Sequence, residues 1–82
     1  MKIQVLYFAA VRELVGVGEE SLALPPDVGT IEALAAHLAA VHPALEGRLA
    51  AVRFARNEEF ARPSDPLSDG DVVAIIPPVA GG

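Results

Sequence analysis

The final six residues hold the most constrained chemistry in this 82-residue chain: Pro77-Pro78-Val79-Ala80-Gly81-Gly82 ends in two residues that carry no Cβ. Backbone without side chains can enter a narrow channel and bring a terminal carboxylate against another protein's reactive groups. Two consecutive prolines fix φ and favour a polyproline-like departure, so six residues can project ~20 Å from the element that precedes them. A carboxylate presented in this way is a substrate, not a catalyst. A frayed end is the alternative, because termini tolerate small residues. With glycine at about 7% of residues, a terminal pair occurs by chance in roughly 0.5% of chains, and two prolines at about 5% each upstream multiply this by a further ~0.0025. Chance is therefore a poor account of the segment.

The remaining reactive side chains do not assemble a catalytic set in sequence. His37 and His42 are five apart, which does not align them on one helical face, and with no Cys there is no ligand to complete a metal site, so both are expected at the surface. Glu19-Glu20, Glu58-Glu59 and the Asp69/Asp71 pair fall at turns or strand ends, where solvated charge is expected. Gly16-Val17-Gly18 leads into Glu19-Glu20 and not into the positive end of a helix, which argues against a phosphate loop. Ser21, Ser64 and Ser68 have no base beside them. No cofactor-binding or metal-binding residue is expected.

Composition limits the classes further. Apolar residues make up 52% of the chain and charged ones 21%, which suits one compact domain with a modest core. Zero cysteines exclude disulfides, a thiolate nucleophile and thiolate metal sites. Six basic against eleven acidic residues, a net charge of −5, disfavour nucleic acid and anionic membrane surfaces as partners. No run approaches the ~20 apolar residues of a membrane helix, and Gln4 with Arg12-Glu13 interrupts the apolar N-terminal stretch that would otherwise resemble a signal peptide. A cytoplasmic protein is expected.

The elements that must position the tail follow from periodicity. Ile3, Val5 and Tyr7 alternate with Gln4, Leu6 and Phe8, both sets largely apolar, which predicts an internal strand. Phe8, Val11, Leu14 and Val15 recur at helical spacing, and Gly16 stands where a left-handed cap would end a short helix. Glu19 to Leu24 predicts a second strand paired with the first. Thr30 is the expected N-cap of the main helix, with an apolar stripe of Ile31, Leu34, Leu38, Val41 and Leu45 and an end near His42, ahead of Pro43. Val52 and Phe54 open a third strand, Phe60-Ala61 forms a short charged edge strand, and Ser68-Asp69-Gly70-Asp71 turns the chain into the apolar run Val72 to Ile76, a central strand. This order predicts an α+β fold of the ubiquitin-like β-grasp type: a mixed sheet of about five strands on one main helix plus short helices. Residues 1–76 form the domain and 77–82 the extended tail.

Phe8-Ala9-Ala10-Val11-Arg12-Glu13-Leu14-Val15-Gly16, Thr30-Ile31-Glu32-Ala33-Leu34, Pro66-Leu67-Ser68-Asp69-Gly70-Asp71 and Pro77-Pro78-Val79-Ala80-Gly81-Gly82, in that order across the whole chain, resemble the small subunit of molybdopterin synthase (MoaD family). The resemblance implies a sulfur carrier with no stably bound cofactor. Its Gly82 carboxylate would be adenylated with ATP by a ubiquitin-activating-like adenylyltransferase and converted to a thiocarboxylate, with sulfur from a donor such as a cysteine desulfurase system. The large synthase subunit, in a heterotetramer of two small and two large chains, would then use that sulfur to build the dithiolene of molybdopterin. An isopeptide to a partner lysine is a further outlet for the activated carboxylate. The resemblance also implies an apolar docking surface at Phe8, Phe60 and Ile76, and a threaded stretch of Pro77, Pro78, Val79, Ala80 and Gly81. Arg53, Arg56 and Tyr7 depart from the family's pattern. Related Gly-Gly carriers serve thiamin thiazole formation or tRNA thiolation, and a non-covalent β-grasp interaction module is the alternative from another class.

Overall fold

The structure, a computed structural model, describes residues 1–78. Five strands, β1 (Lys2–Tyr7), β2 (Glu19–Ala23), β3 (Arg53–Arg56), β4 (Glu59–Ala61) and β5 (Val72–Ile76), form one mixed sheet in the order β2-β1-β5-β3-β4. The first and last strands lie side by side in parallel, with Val5 opposite Val73 and Tyr7 opposite Ile75, and every other pairing is antiparallel. Helices α1 (Ala9–Val15) and α2 (Ile31–Val41) and a 3₁₀ turn at Pro43–Leu45 complete the fold.

The helix-covered face of the sheet is the core. Ile3, Val5 and Tyr7 from β1, Val73 and Ile75 from β5, and Phe54 from β3 meet Ile31, Leu34 and Leu38 of α2. Their period-two spacing in the strands and three-to-four spacing in the helix put every one of them on the shared interface. Val41, expected in the α2 stripe, is 43% exposed, and Leu45 on the 3₁₀ turn closes the core instead. Pro43 opens that turn, because its ring cannot continue the helix, and the change of direction carries Leu45 inward.

The N-terminus of α2 is closed by the chain that precedes β5. Thr30 accepts from the Ala33 N–H at 3.2 Å, while the Ile31 and Glu32 N–H groups donate to the Asp65 and Pro63 carbonyls. Three donors that a bare helix end would leave unpaired are thereby satisfied, and the 63–67 segment is fixed against the helix. Gly16 (φ 94°) ends α1 with its N–H on the Arg12 carbonyl, and Gly70 (φ 86°) makes the turn into β5.

Three polar residues expected in solvent are not there. Asp71 is buried, accepting from the Ser68 N–H at 2.7 Å and from Asn57 Nδ2 at 3.0 Å. Glu20 and His42 are half-buried: Glu20 Oε2 accepts from the Tyr7 hydroxyl and lies 2.5 Å from His42 Nε2, and the Tyr7 and His42 rings meet edge to face. Inward alternation on β1 carries the Tyr7 ring into the core, and its hydroxyl needs an acceptor there, which Glu20 on the neighbouring strand supplies.

The Tyr7–Glu20–His42 cluster makes stability depend on pH at both extremes. Burial, the hydrogen bond to Glu20 and its negative charge raise the Tyr7 phenol well above its usual range. Burial alone would raise Glu20, but the hydrogen bonds from Tyr7 and His42 and the His42 charge outweigh it, and the carboxyl is lowered. A lowered carboxyl contributes stability that is present above its unfolded value and lost as pH falls through the folded one. A raised phenol contributes stability that is complete below about pH 10 and lost as pH rises through the folded value. Urea midpoints measured across pH should fall less steeply on the acid side for Glu20→Gln, and less steeply above about pH 10 for Tyr7→Phe, than for the parent. Parallel curves for parent and variants would refute the assignment.

Candidate functional site

Among the described residues no helix lies over the outer face of the sheet. On β1 and β5 it carries the residues that alternate with the core set: Gln4 and Leu6 on one, Val72, Ala74 and Ile76 on the other. On β3 and β4 it carries Arg53, Ala55 and Phe60, since Ala55 stands opposite both Ala74 and Phe60, and Arg53 stands opposite Ile76. Towards β2 the face is polar, with Gln4 bonded to Glu19 and Ser21. Towards β3 and β4 it is apolar and forms a groove of about 510 Å3 lined by Leu6, Phe8, Ala55, Phe60, Ala74 and Ile76.

Phe8, Phe60 and Ile76 therefore come together although 68 residues separate the first from the last. Phe8 is not part of the buried stripe of α1; it caps the helix in extended conformation (φ −124°) and is 47% exposed. Phe60 is 63% exposed on the short edge strand. Ile76 is half-buried and lines the groove, so it belongs to the outer face and not to the core. Arg53, which in sequence departs from the family's pattern, places its guanidinium carbon 4.2 Å from the Phe60 ring centroid, a cation–π contact.

The tail leaves from the groove's rim. Pro77 and Pro78 follow β5 and, with Phe8, Ala9 and Ile76, line a second apolar notch of about 350 Å3. Val79, Ala80, Gly81 and Gly82 lie outside the described residues. At the groove's other end stands the β3–β4 turn, where Asn57 (φ 51°) and Glu58 (φ 71°) both adopt left-handed backbone, the geometry of a tight hairpin that ordinarily favours glycine at its second position. Asn57 holds the turn: its Oδ1 accepts from the Val72 N–H at 2.9 Å, and its Nδ2 reaches buried Asp71. Among the described residues there is no group of three potential metal ligands, and no helix is long and apolar enough to cross a membrane.

A mixed five-stranded sheet on one main helix, with an uncovered apolar face beside a proline-led C-terminal segment, defines a ubiquitin-like β-grasp protein. Residues 5–82 match the ThiS family, and the chain belongs to that family, on the branch of the molybdopterin synthase sulfur carrier subunits. It is 49% identical to the protein of that name from Chlamydomonas reinhardtii, each chain covered over its full length. It is 47% identical to the Escherichia coli (strain K12) sulfur carrier subunit, over 98% of this chain and 99% of that one. SAMP1 from Haloferax volcanii superposes with a TM-score of 0.86 at 28% identity over the whole of both chains. A chain of the complex of subunits 1 and 2 of the molybdopterin-converting factor from Helicobacter pylori 26695 has the same fold, with a TM-score of 0.70 at 25% identity over the whole of both chains.

Assignment to the groove or to the core has measurable consequences. Phe60→Ala should change the unfolding free energy by less than about 1 kcal/mol, because the ring is mostly solvated already, whereas Ile75→Ala, which opens a cavity in the core, should cost about 2–5 kcal/mol. Denaturant titration of both variants checks this, and similar losses would place Phe60 in the core after all. Glu58→Gly should raise stability by about 1 kcal/mol by relieving the left-handed Glu58 backbone, read as an increased denaturant midpoint at unchanged slope.

Proposed function

We propose that this chain carries sulfur as a thiocarboxylate on Gly82 and delivers it, in the cytoplasm, to a large subunit that builds the molybdopterin dithiolene. The observation that carries the reading is Gly81-Gly82 at the end of a sequence that runs the full length of relatives named molybdopterin synthase sulfur carrier subunits. The chemistry accounts for each step. A free carboxylate is a poor electrophile, because its charge repels nucleophiles and oxide is a poor leaving group. An ATP-dependent adenylyltransferase would convert it to an acyl adenylate with release of pyrophosphate, and sulfur from the donor would then displace AMP. ATP is consumed by that enzyme and is not bound by the carrier.

This chain contributes position, and the partner contributes catalysis. With no cysteine it has no sulfur nucleophile of its own to compete for the activated carboxylate. Pro77 and Pro78 restrict the first two residues beyond the sheet, which lowers the entropy lost on threading the tail. The groove of Phe8, Phe60 and Ile76 supplies the apolar surface a receiving subunit would bury beside the tail's origin. The complex of subunits 1 and 2 from Helicobacter pylori supports such a partner; two copies of each subunit are the assembly proposed for this chain. Amide formation between Gly82 and a partner lysine is a second use of the same intermediate, favoured by the likeness to the small archaeal modifier protein 1 from Haloferax volcanii, TM-score 0.83 at 27% identity.

Intact mass after incubation with ATP, the cognate activating enzyme and a sulfur donor should show one oxygen-for-sulfur exchange. Deletion of Gly82, or one residue appended after it, should abolish the exchange while the thermal midpoint stays within about 2 °C of the parent, as expected for a change in an extended terminus. Persistent absence of exchange in the intact chain would end the carrier reading. An amide adduct in place of the exchange would select the second use.

A further inference from the structure

Arg53 stands where the apolar groove meets the origin of the tail. It opens β3 opposite Ile76, the last residue of β5, and its guanidinium lies over the exposed face of Phe60. Arg56 on the same strand donates to the Pro66 carbonyl, and Arg62 lies 3.8 Å from Asp65. Among the described residues Arg53 has neither an ion-pair partner nor a hydrogen-bond acceptor. Its donors are available, and the aromatic contact restricts the side chain before any partner arrives, so less rotamer entropy remains to be lost on binding.

The rim of the groove has opposite charge at its two ends. Arg53, in register with Ile76 and stacked on Phe60, stands towards the tail end, and Glu58, on the turn at the other end of β3, lines the far end without a cation partner among the described residues. On a chain of net charge −5, a guanidinium held over Phe60, from a residue in register with Ile76, is a local reversal of sign. The planar fork of arginine matches a carboxylate with two parallel hydrogen bonds, which fixes direction as well as distance. The site is the edge of a broad protein-docking face and not a cavity that could enclose a small anion, which favours a carboxylate on a macromolecular partner.

We propose that Arg53 orients the docked large subunit by pairing with a carboxylate at the mouth of that subunit's tail channel, so that the groove engages in the one direction that feeds Gly82 inward. This rests on the carrier reading above. The apolar contacts would supply most of the affinity, and the Arg53 pair would reject the reversed approach, in which the partner's carboxylate meets Glu58.

Titration of the purified large subunit with the full-length chain tests this. Arg53→Ala should weaken binding about tenfold and Arg53→Glu about 100-fold, with Arg53→Lys in between Ala and the parent, because it keeps charge but loses the fork. Thermal midpoints should stay near the parent's, and the salt dependence of binding should be shallower for Arg53→Ala. Reversing one Asp or Glu at the channel mouth of the large subunit to Arg should restore the Arg53→Glu variant. Parent-like affinity of both Arg53→Ala and Arg53→Glu, or failure of every such reversal to restore binding, overturns the proposal and leaves the carrier reading in place. A parent chain that does not bind the large subunit at all removes both.

Discussion

The parallel pairing of the first and last strands is the constraint on which the rest of the molecule depends. Parallel neighbours cannot be joined by a tight turn, so the whole chain between Tyr7 and Val72 acts as the crossover. Their shared direction brings both C-terminal ends to one edge of the sheet. Phe8, which follows β1, and Ile76 with Pro77, which end β5, become neighbours for that reason alone. The tail therefore begins at the centre of the sheet's edge, on a strand hydrogen-bonded on both sides. A projecting segment gains direction from being rooted in the most constrained strand available.

The sheet divides its two faces between stability and recognition. The inner face is closed by α2 and α1, with Val5, Leu34, Leu38, Leu45, Val73 and Ile75 fully buried. The outer face is left with apolar residues on β1, β5, β3 and β4 that no helix among the described residues covers. Exposed apolar area concentrated in one place marks interaction surfaces more often than solitary exposed residues do. The liability of such a face is limited at its edge: β4 has three residues, is flanked by Glu58 and Pro63, and has Phe60 partly covered by Arg53. The strained Asn57-Glu58 turn, anchored on buried Asp71, fixes the far rim.

Polar groups inside the fold serve architecture. Asp71 ties the turn before β5 to the β3–β4 turn, and Glu20 ties Tyr7 to the end of α2 through His42. Asp71 accepts one bond within its own turn, from Ser68, and one from Asn57 on the β3–β4 turn, while Glu20 meets Tyr7 and His42, both distant in sequence, so each carboxylate sets the relative placement of two elements. Neither lies in the apolar groove, and neither has the open, unpaired character expected of an acid or base that acts on a substrate. In the function proposed above the reactive group is the Gly82 carboxylate, and these buried pairs hold the fold that would present it.

Much of this was legible in the sequence. Residue spacing located both helices and the first strands, flanking charge and proline marked β4, an unbroken apolar run marked β5, Thr30 and Gly16 marked helix ends, Gly70 marked the turn into β5, and the blocks at Phe8–Gly16 and Pro66–Asp71, with the tail, pointed to the family. These signals are local, carried by residues a few positions apart, which is why they survive in one dimension. The destination of Ile76, the pairing of Glu20 with His42, the burial of Asp71 and the stacking of Arg53 on Phe60 were not legible. Each depends on which strands become neighbours, and an apolar residue reads alike in sequence whether its side of the sheet is covered by a helix or left open. The sequence by itself determined a β-grasp domain whose last strand leads into Pro77-Pro78 and a Gly81-Gly82 pair. Only the tertiary structure, by setting the first and last strands side by side, decided which apolar residues became core and which became the surface beside that tail.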